Sequence, residues 1–476
     1  MLNVKAPSSR LEQYIIVHVC TLCILATWYL GGGSTGSYIA ITALGSIGAI
    51  FLIFGCMHSL ATRQAPLKTF APLVPLLVFD ALAVVSIFHP SFRLESIEGA
   101  RMLIPLQPQP QGPSCARPDF ALQELCLFNA IVLSALNLLF FVRRRRLLVS
   151  LFLVLTANAF ALAVFGTLQK LIGANGIFLG QISSPNPTYF SSFIYHNHWG
   201  AYIILALAMC VGLLFNVKLD SSHRDLWHSP IPAACVAVFL LAVTIPLSGA
   251  RACTVLSILL LGGALIWGFR RSSRHAHETG RSPAVPRLLL ITTVIVCCLL
   301  TCLLARDVIT TRVADTRTQL AQIREQGGMG SRSILYQDTF RMFSDRPWFG
   351  WGLGSYGTVF RSYNTQVSLG DNLPVYYEYA HSDWLQLLAE TGIAGTVSYL
   401  TLLVLPLIRL VRKRIRATTG FLLAGCGIIL LYAFIEFPFG NPAVTLHFWV
   451  TFFAAIRWVR LDSSAPQSCS RSFSSP

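Results

Sequence analysis

The apolar positions of this chain come in long runs separated by polar breaks. Runs of roughly 17–25 residues match the hydrocarbon thickness that an α-helix must cross in a bilayer. Twelve such runs can be placed, at 14–30, 38–57, 70–88, 121–142, 147–165, 199–217, 230–247, 252–269, 286–305, 384–408, 420–435 and 444–459. Backbone N–H and C=O groups find no water in hydrocarbon, so spanning segments that bond internally are the predicted elements. The expected fold is an all-α polytopic membrane protein of about 12 transmembrane helices, with both termini on one side.

Three polar interruptions between runs exceed a simple turn: 88–120, 166–198 and 306–383. The first contains IPLQPQPQGP and reads as an irregular connector without chemistry. The second contains ISSPNPTYFSSFIYHNHWGAY and delivers His196, Asn197 and His198 to the mouth of the sixth span. The third, between spans nine and ten, is the longest. Its pattern predicts two helices, one over 307–326 and one that starts at Ser331 and stops at Asp345-Arg346-Pro347. The glycine-rich WFGWGLGSYG follows as a tight turn region, and AHSDWLQLLAETGIAG leads into the tenth span.

Charge fixes the expected orientation. Of the 36 Lys and Arg residues, 23 fall in the even-numbered loops and termini, and eight of the remaining 13 lie in the one long loop. Cytoplasmic loops carry the basic excess, so both termini are placed in the cytoplasm and 306–383 on the outer, periplasmic side. The same reading explains the formal charge of +16 without nucleic acid. A composition 54% hydrophobic and only 12% charged excludes a soluble domain. The 13 cysteines lie in or beside spans, with Cys115 alone in an exposed outer loop, so no disulfide framework is expected. The first run is followed by GGGSTGS and a second span, which predicts a retained helix rather than a cleaved signal.

Candidate chemistry concentrates on the outer side. GWGLG lacks the preceding strand and βαβ unit of a dinucleotide fingerprint. No Asp-x-Asp pair exists, so neither a bound metal nor a metal-bound nucleotide-sugar is expected, and no cofactor is implied. Adjacent side chains on a helix diverge, so Asn197 and His198 fit hydrogen bonding, structural or to substrate, better than a metal pair. Arg251, after PLSGA, and Arg332, in the first turn of its helix, face outward. A guanidinium fork suits phosphate oxygens, and two of them suit a pyrophosphate; the bland alternative for Arg251 is an interfacial arginine. His381 precedes Ser382, the expected N-cap of the tenth span, where the positive helix end favours a neutral ring able to accept a proton. A wet interfacial histidine is the alternative. Glu390, seven residues after Asp383, is expected inside the membrane, where an acid needs a partner, and is read as orienting an arginine. Lys170, Asp80 and Glu436 are weaker candidates near the outer face.

Three stretches, LSGARACTVLSILLL, SRSILYQDTFRMFSDRPWFGWGLGSYGTVF and AHSDWLQLLAETGIAGTVSYL, resemble in order and spacing the shared core of the O-antigen ligase and Wzy-type O-antigen polymerase family. The resemblance covers about 247–400 and extends to the layout of spans and one long loop. It divides the chain into a scaffold, 1–246, a ligase-like core, 247–400, and C-terminal helices and tail, 401–476. The resemblance implies a metal-independent membrane glycosyltransferase of the bacterial inner membrane with a periplasmic site. Its donor would be a polyprenyl-pyrophosphate-linked glycan, of the undecaprenyl type, and its acceptor a hydroxyl on lipid A core, as in lipopolysaccharide, or on a second carrier-linked glycan. Carried over by motif, Arg251 and Arg332 would hold the pyrophosphate and His381 would assist the acceptor in an inverting displacement, with Asn197, His198, Lys170 and Glu390 as further substrate-binding candidates. SGARA stands where SGSRG-like forms are common and HSD where HND is common, and neither change removes a functional group. Ligase, repeat-unit polymerase and protein-glycosylating transferase all remain open. The competing class is a multi-span solute transporter, against which stand the absence of an obvious inverted repeat and the concentration of polar residues in one loop.

Overall fold

The computed structural model describes residues 9–62, 66–97, 100–106, 112–217, 229–279, 331–366, 375–408 and 410–464 except 412 and 414, with scattered positions between 291 and 318. Among them the helices are α1 (Ser9–Trp28), α2 (Thr35–Ala61), α3 (Leu73–Phe88), α4 (Pro118–Phe141), α5 (Arg145–Leu171), α6 (His196–Leu214), α7 (Ile231–Ser248), α8 (Arg251–Thr279), α9 (Ser331–Asp345), α10 (Asp383–Ile408), α11 (Ala417–Tyr432) and α12 (Pro442–Ser464), besides single helical turns. Nine of these are long and apolar enough to cross a membrane, and α3 and α11 are shorter apolar helices. They coincide with eleven of the expected spans. The expected ninth, 286–305, and the first loop helix, 307–326, lie largely outside the described residues.

The centre of the bundle is α12, whose Val444, Leu446, Phe448, Trp449, Phe453 and Ile456 are fully buried. It packs on α1, α4, α5, α6 and α11. Helices that cross a membrane with both faces covered by other helices read as apolar all round, which is why its sequence shows no amphipathic stripe. The outer helices keep apolar side chains exposed, as Ile53, Phe54 and Met57 on α2 and Val255, Ile258 and Leu259 on α8 do. In water such a surface would aggregate; in lipid it is solvated.

The two ends of the bundle differ in chemistry. At one end Glu12 accepts from the backbone of Arg143 and Arg144, Arg145 pairs with Asp462 at 2.9 Å, and Arg271 donates to the carbonyls of Phe215 and Val217. The opposite end holds the starts of α6, α8 and α10 and the loop after α11, and α9 lies over it.

Two expectations are corrected there. The connector over 88–120 is not irregular throughout: Phe92–Ile97 and Ala100–Pro105 form an antiparallel hairpin pairing Phe92 with Pro105 and Ile97 with Ala100. Cys115 is not exposed but fully buried, since its backbone N–H bonds His89 and its carbonyl accepts from Ser91. The next residue, Ala116, donates to the carbonyl of Trp351 at 2.9 Å, which ties this loop to the glycine-rich turn.

Candidate active site at the mouth of the bundle

The second loop helix, α9, begins and ends where the sequence predicts, at Ser331 and Asp345. One turn apart on it, Arg332 and Tyr336 reach the membrane bundle in different places. Arg332 donates from Nη1 to the carbonyl of Ile435 at 3.0 Å and from Nη2 to Glu436 Oε1 at 2.7 Å. Tyr336 donates its hydroxyl to the carbonyl of His381 at 2.9 Å. One helix therefore touches both the arginine's carboxylate and the histidine's backbone.

Glu436 is the hub. It sits in the short loop between α11 and α12 with only 3% of its surface exposed. Besides Arg332, its Oε1 accepts from Asn197 Nδ2 at 3.0 Å and Tyr195 OH at 3.3 Å. Its Oε2 faces His381 Nδ1 at 3.5 Å, close enough for charge to act, but neither atom has a hydrogen-bond partner among the described residues. Burial alone would push the Glu436 carboxyl up; the neighbouring His381 and Arg332 outweigh it and hold the group below its ordinary value. It is an ionised carboxylate at neutral pH.

The frame around this pair is backbone and aromatic. Asp383 donates its N–H to the Glu436 carbonyl at 3.2 Å, while its own carboxylate accepts from Phe439 N at 2.9 Å. His381 stands two residues before α10 in the left-handed region, φ +50°, a strained conformation for a side-chain-bearing residue that persists where the surroundings dictate it. Ser382 caps the helix, accepting from Leu385 N at 3.4 Å as its sequence position predicts. The ring of Phe437 stacks on Tyr379, with centroids 4.6 Å apart, and meets the His381 ring edge-on at 4.9 Å.

Of the HNH triplet, only Asn197 enters the carboxylate cluster. His196 bonds Thr188 Oγ1 at 2.7 Å and His198 the carbonyl of Phe437 at 3.2 Å, so the three side chains diverge as adjacent helical residues must. Arg251 opens α8 and is exposed; its neighbours Ala250 and Cys253 pack on Gly200, one turn into α6, which sets it at the same end of the bundle as Asn197. Lys170 lines a different cavity, of about 170 Å³, with Gln169, Pro187 and Tyr189. Asp80 is bonded to Asn129 at 2.9 Å.

Glu390 orients no arginine in the described contacts. It accepts from the backbone N–H of Tyr356 at 3.0 Å and from that of Gly354, and Gln386 lies at 3.5 Å. The reason is a break in α10. At Gly392, φ +61° and ψ −169°, the helix opens, and the glycine-rich segment fills the gap. Trp351 N bonds Ala389 O, Gly352 N bonds Glu390 O, Ile393 N bonds Pro347 O and Ala394 N bonds Trp348 O, all between 2.8 and 3.1 Å. A broken span is tolerated because neighbouring protein satisfies each freed group.

Glu436 ranked low from sequence because it follows an apolar run in FIEFPFG and its partners are remote, Arg332 at 104 residues and Tyr195 at 241. The available signal was an acid beside a span, which demands a partner. Tyr336, four residues after Arg332 and so on its face, carried a signal of the same kind.

A bundle apolar on its outside, with a guanidinium, a carboxylate, an imidazole and an amide gathered at one mouth, defines a polytopic all-α membrane protein with a polar cluster at one end. Residues 236–400, about a third of the chain, match the family model described as O-antigen ligase. The matched segment contains Arg251, Arg332, His381 and Glu390; Glu436 and Asn197 lie outside it. No curated protein matches the chain.

Proposed function

We propose that this protein transfers a glycan from a polyprenyl-pyrophosphate carrier to an acceptor hydroxyl at the periplasmic face of the bacterial inner membrane. The observation that carries the reading is the convergence of Arg332, His381 and Asn197, from three distant segments, on one buried carboxylate at the mouth of the bundle. The opposite end holds Arg143 to Arg146 and Arg271, and because basic ends face the cytoplasm this supports an outward-facing mouth.

In this reading Arg332 and Arg251 bind the pyrophosphate and stabilise the charge that grows on it as the anomeric C–O bond breaks. His381 takes the acceptor proton as the acceptor oxygen attacks from the opposite face, which inverts the anomeric configuration. Preorganised guanidinium charge replaces the role a metal plays with nucleotide-sugar donors. Lipid A core and a second carrier-linked glycan are both fitting acceptors.

The test is deletion of the gene and its restoration as wild type, Arg332→Ala or His381→Asn, with carrier-linked and mature glycans analysed by gel and mass spectrometry. Asn adopts the left-handed conformation readily, so His381→Asn removes the base while sparing the backbone. Both variants are expected to cut transfer sharply and to accumulate carrier-linked donor. Single repeats in the accumulated donor mark a polymerase, and full-length chains mark a ligase. Normal mature glycans in both variants would end this reading.

A further inference from the structure

We propose that Glu436 is a positioning residue that changes partners in each turnover: it holds Arg332 before the donor arrives, and when an anionic pyrophosphate draws the guanidinium away, it closes on His381. This rests on the glycosyl-transfer reading above and adds to it a coupling between donor binding and readiness of the base.

The geometry of the two carboxylate oxygens points to it. Oε1 is crowded by three donors, Arg332, Asn197 and Tyr195. Oε2 is buried without a hydrogen bond, and across 3.5 Å stands His381 Nδ1, also buried and also without one. A buried polar atom left without a partner keeps its desolvation cost uncompensated. A displacement of about half an ångström would turn the gap into a normal hydrogen bond and satisfy both atoms at once.

Exposure decides which partner leaves. The Arg332 side chain is 51% exposed and that of Glu436 is 4% exposed, so an anion approaching from the mouth can reach the guanidinium and cannot reach the carboxylate. A carboxylate stripped of its cation in this burial would be strongly disfavoured. Asn197 and Tyr195 keep Oε1 bonded, and His381 Nδ1–H is the nearest new donor. With Nδ1 so engaged, Nε2 becomes the acceptor nitrogen of the ring, and the imidazolium formed on taking the acceptor's proton lies against a carboxylate. The ring remains 27% exposed while its Nδ1 is buried, so its open edge is the one away from Glu436. The backbone supports the coupling: Asp383 N–H holds the Glu436 carbonyl, and Tyr336, on the same helix as Arg332, holds the carbonyl of His381.

The experiment is steady-state kinetics of the full-length protein in nanodiscs, with carrier-linked glycan extracted from the deletion strain as donor. For Glu436→Gln, kcat is expected to fall about 10- to 100-fold, while the donor KM stays or falls, because the guanidinium no longer has an internal anion to leave. Arg332→Ala is expected to raise the donor KM as well as to lower kcat. Glu436→Asp, which keeps the charge on a shorter arm, is expected to recover part of kcat at an unchanged donor KM, and it serves if Glu436→Gln does not accumulate. A role confined to holding the loop would lower the amount of active protein and leave KM alone, and the double variant would then match Arg332→Ala; under partner exchange the double variant loses kcat beyond Arg332→Ala. Wild-type kcat in Glu436→Gln, or a raised donor KM, overturns the exchange and leaves glycosyl transfer standing. No turnover of the carrier-linked donor by wild type takes down both.

Discussion

Two buried carboxylates, Glu390 and Glu436, sit near the same end of this bundle, and their surroundings assign them different work. Glu390 is bonded by backbone N–H groups of the glycine-rich turn, donors that move only if the chain moves. Glu436 is bonded by side chains: an arginine half in solvent, an asparagine and a tyrosine, with a histidine waiting. Equal burial thus yields a fixed joint in one case and an exchangeable contact in the other. The identity of the donor decides function more than the identity of the acid.

The comparison breaks most visibly if the joint is forced open. Gly350, at φ +67°, lies where a Cβ would collide with the main chain of Glu390 and Thr391. Gly350→Ala is expected to cost more than about 3 kcal/mol, from the left-handed backbone and the collision together, read as loss of folded protein from membranes or a large fall in Tm. Glu390→Ala strands the N–H of Tyr356 and is expected to cost about 1–3 kcal/mol. Thermal melts in detergent check this, with the folded fraction keeping its donor KM. A changed donor KM in that variant would erase the distinction between the two acids.

A smaller effect separates the acids by pH. The folded Glu436 carboxyl lies below its ordinary value, so its contribution to stability is complete above the unfolded value of about 4.3 and is lost as pH falls through the lower folded value. Wild type should therefore outlast Glu436→Gln near neutral pH and converge with it below about pH 4, as melts across that range would record. The smallest effect belongs to Lys170, whose cavity is lined by residues of the 166–191 region and none of the carboxylate cluster. Lys170→Ala is expected to leave transfer within about twofold of wild type, measured in the same glycan assay.

The spans were legible because hydrophobic length is a one-dimensional property, and α9 was legible because Ser331 and Asp345-Arg346-Pro347 punctuate it. His381 and Arg332 stood out by place and motif. The partner of each was not legible, because ion pairs across 104 residues leave no mark in local pattern. The backbone partner of Glu390 was not legible for a related reason: nothing in AETGIAG says that WFGWGLG folds back to meet it. The hairpin at Phe92–Ile97 did leave a trace, since Phe-Arg-Leu-Glu alternates apolar and charged residues, but the Pro- and Gln-rich stretch beyond it dominated the reading.

The break at Gly392 bears on how such proteins can exchange parts. Four main-chain bonds join 347–352 to 389–394, so the glycine-rich segment and α10 form one unit, although the sequence separates them into polar and apolar portions. A chimera that swaps the loop alone would leave a spanning helix with unsatisfied peptide groups inside the bilayer. Any graft that respects this protein's construction has to carry both strands of that seam together.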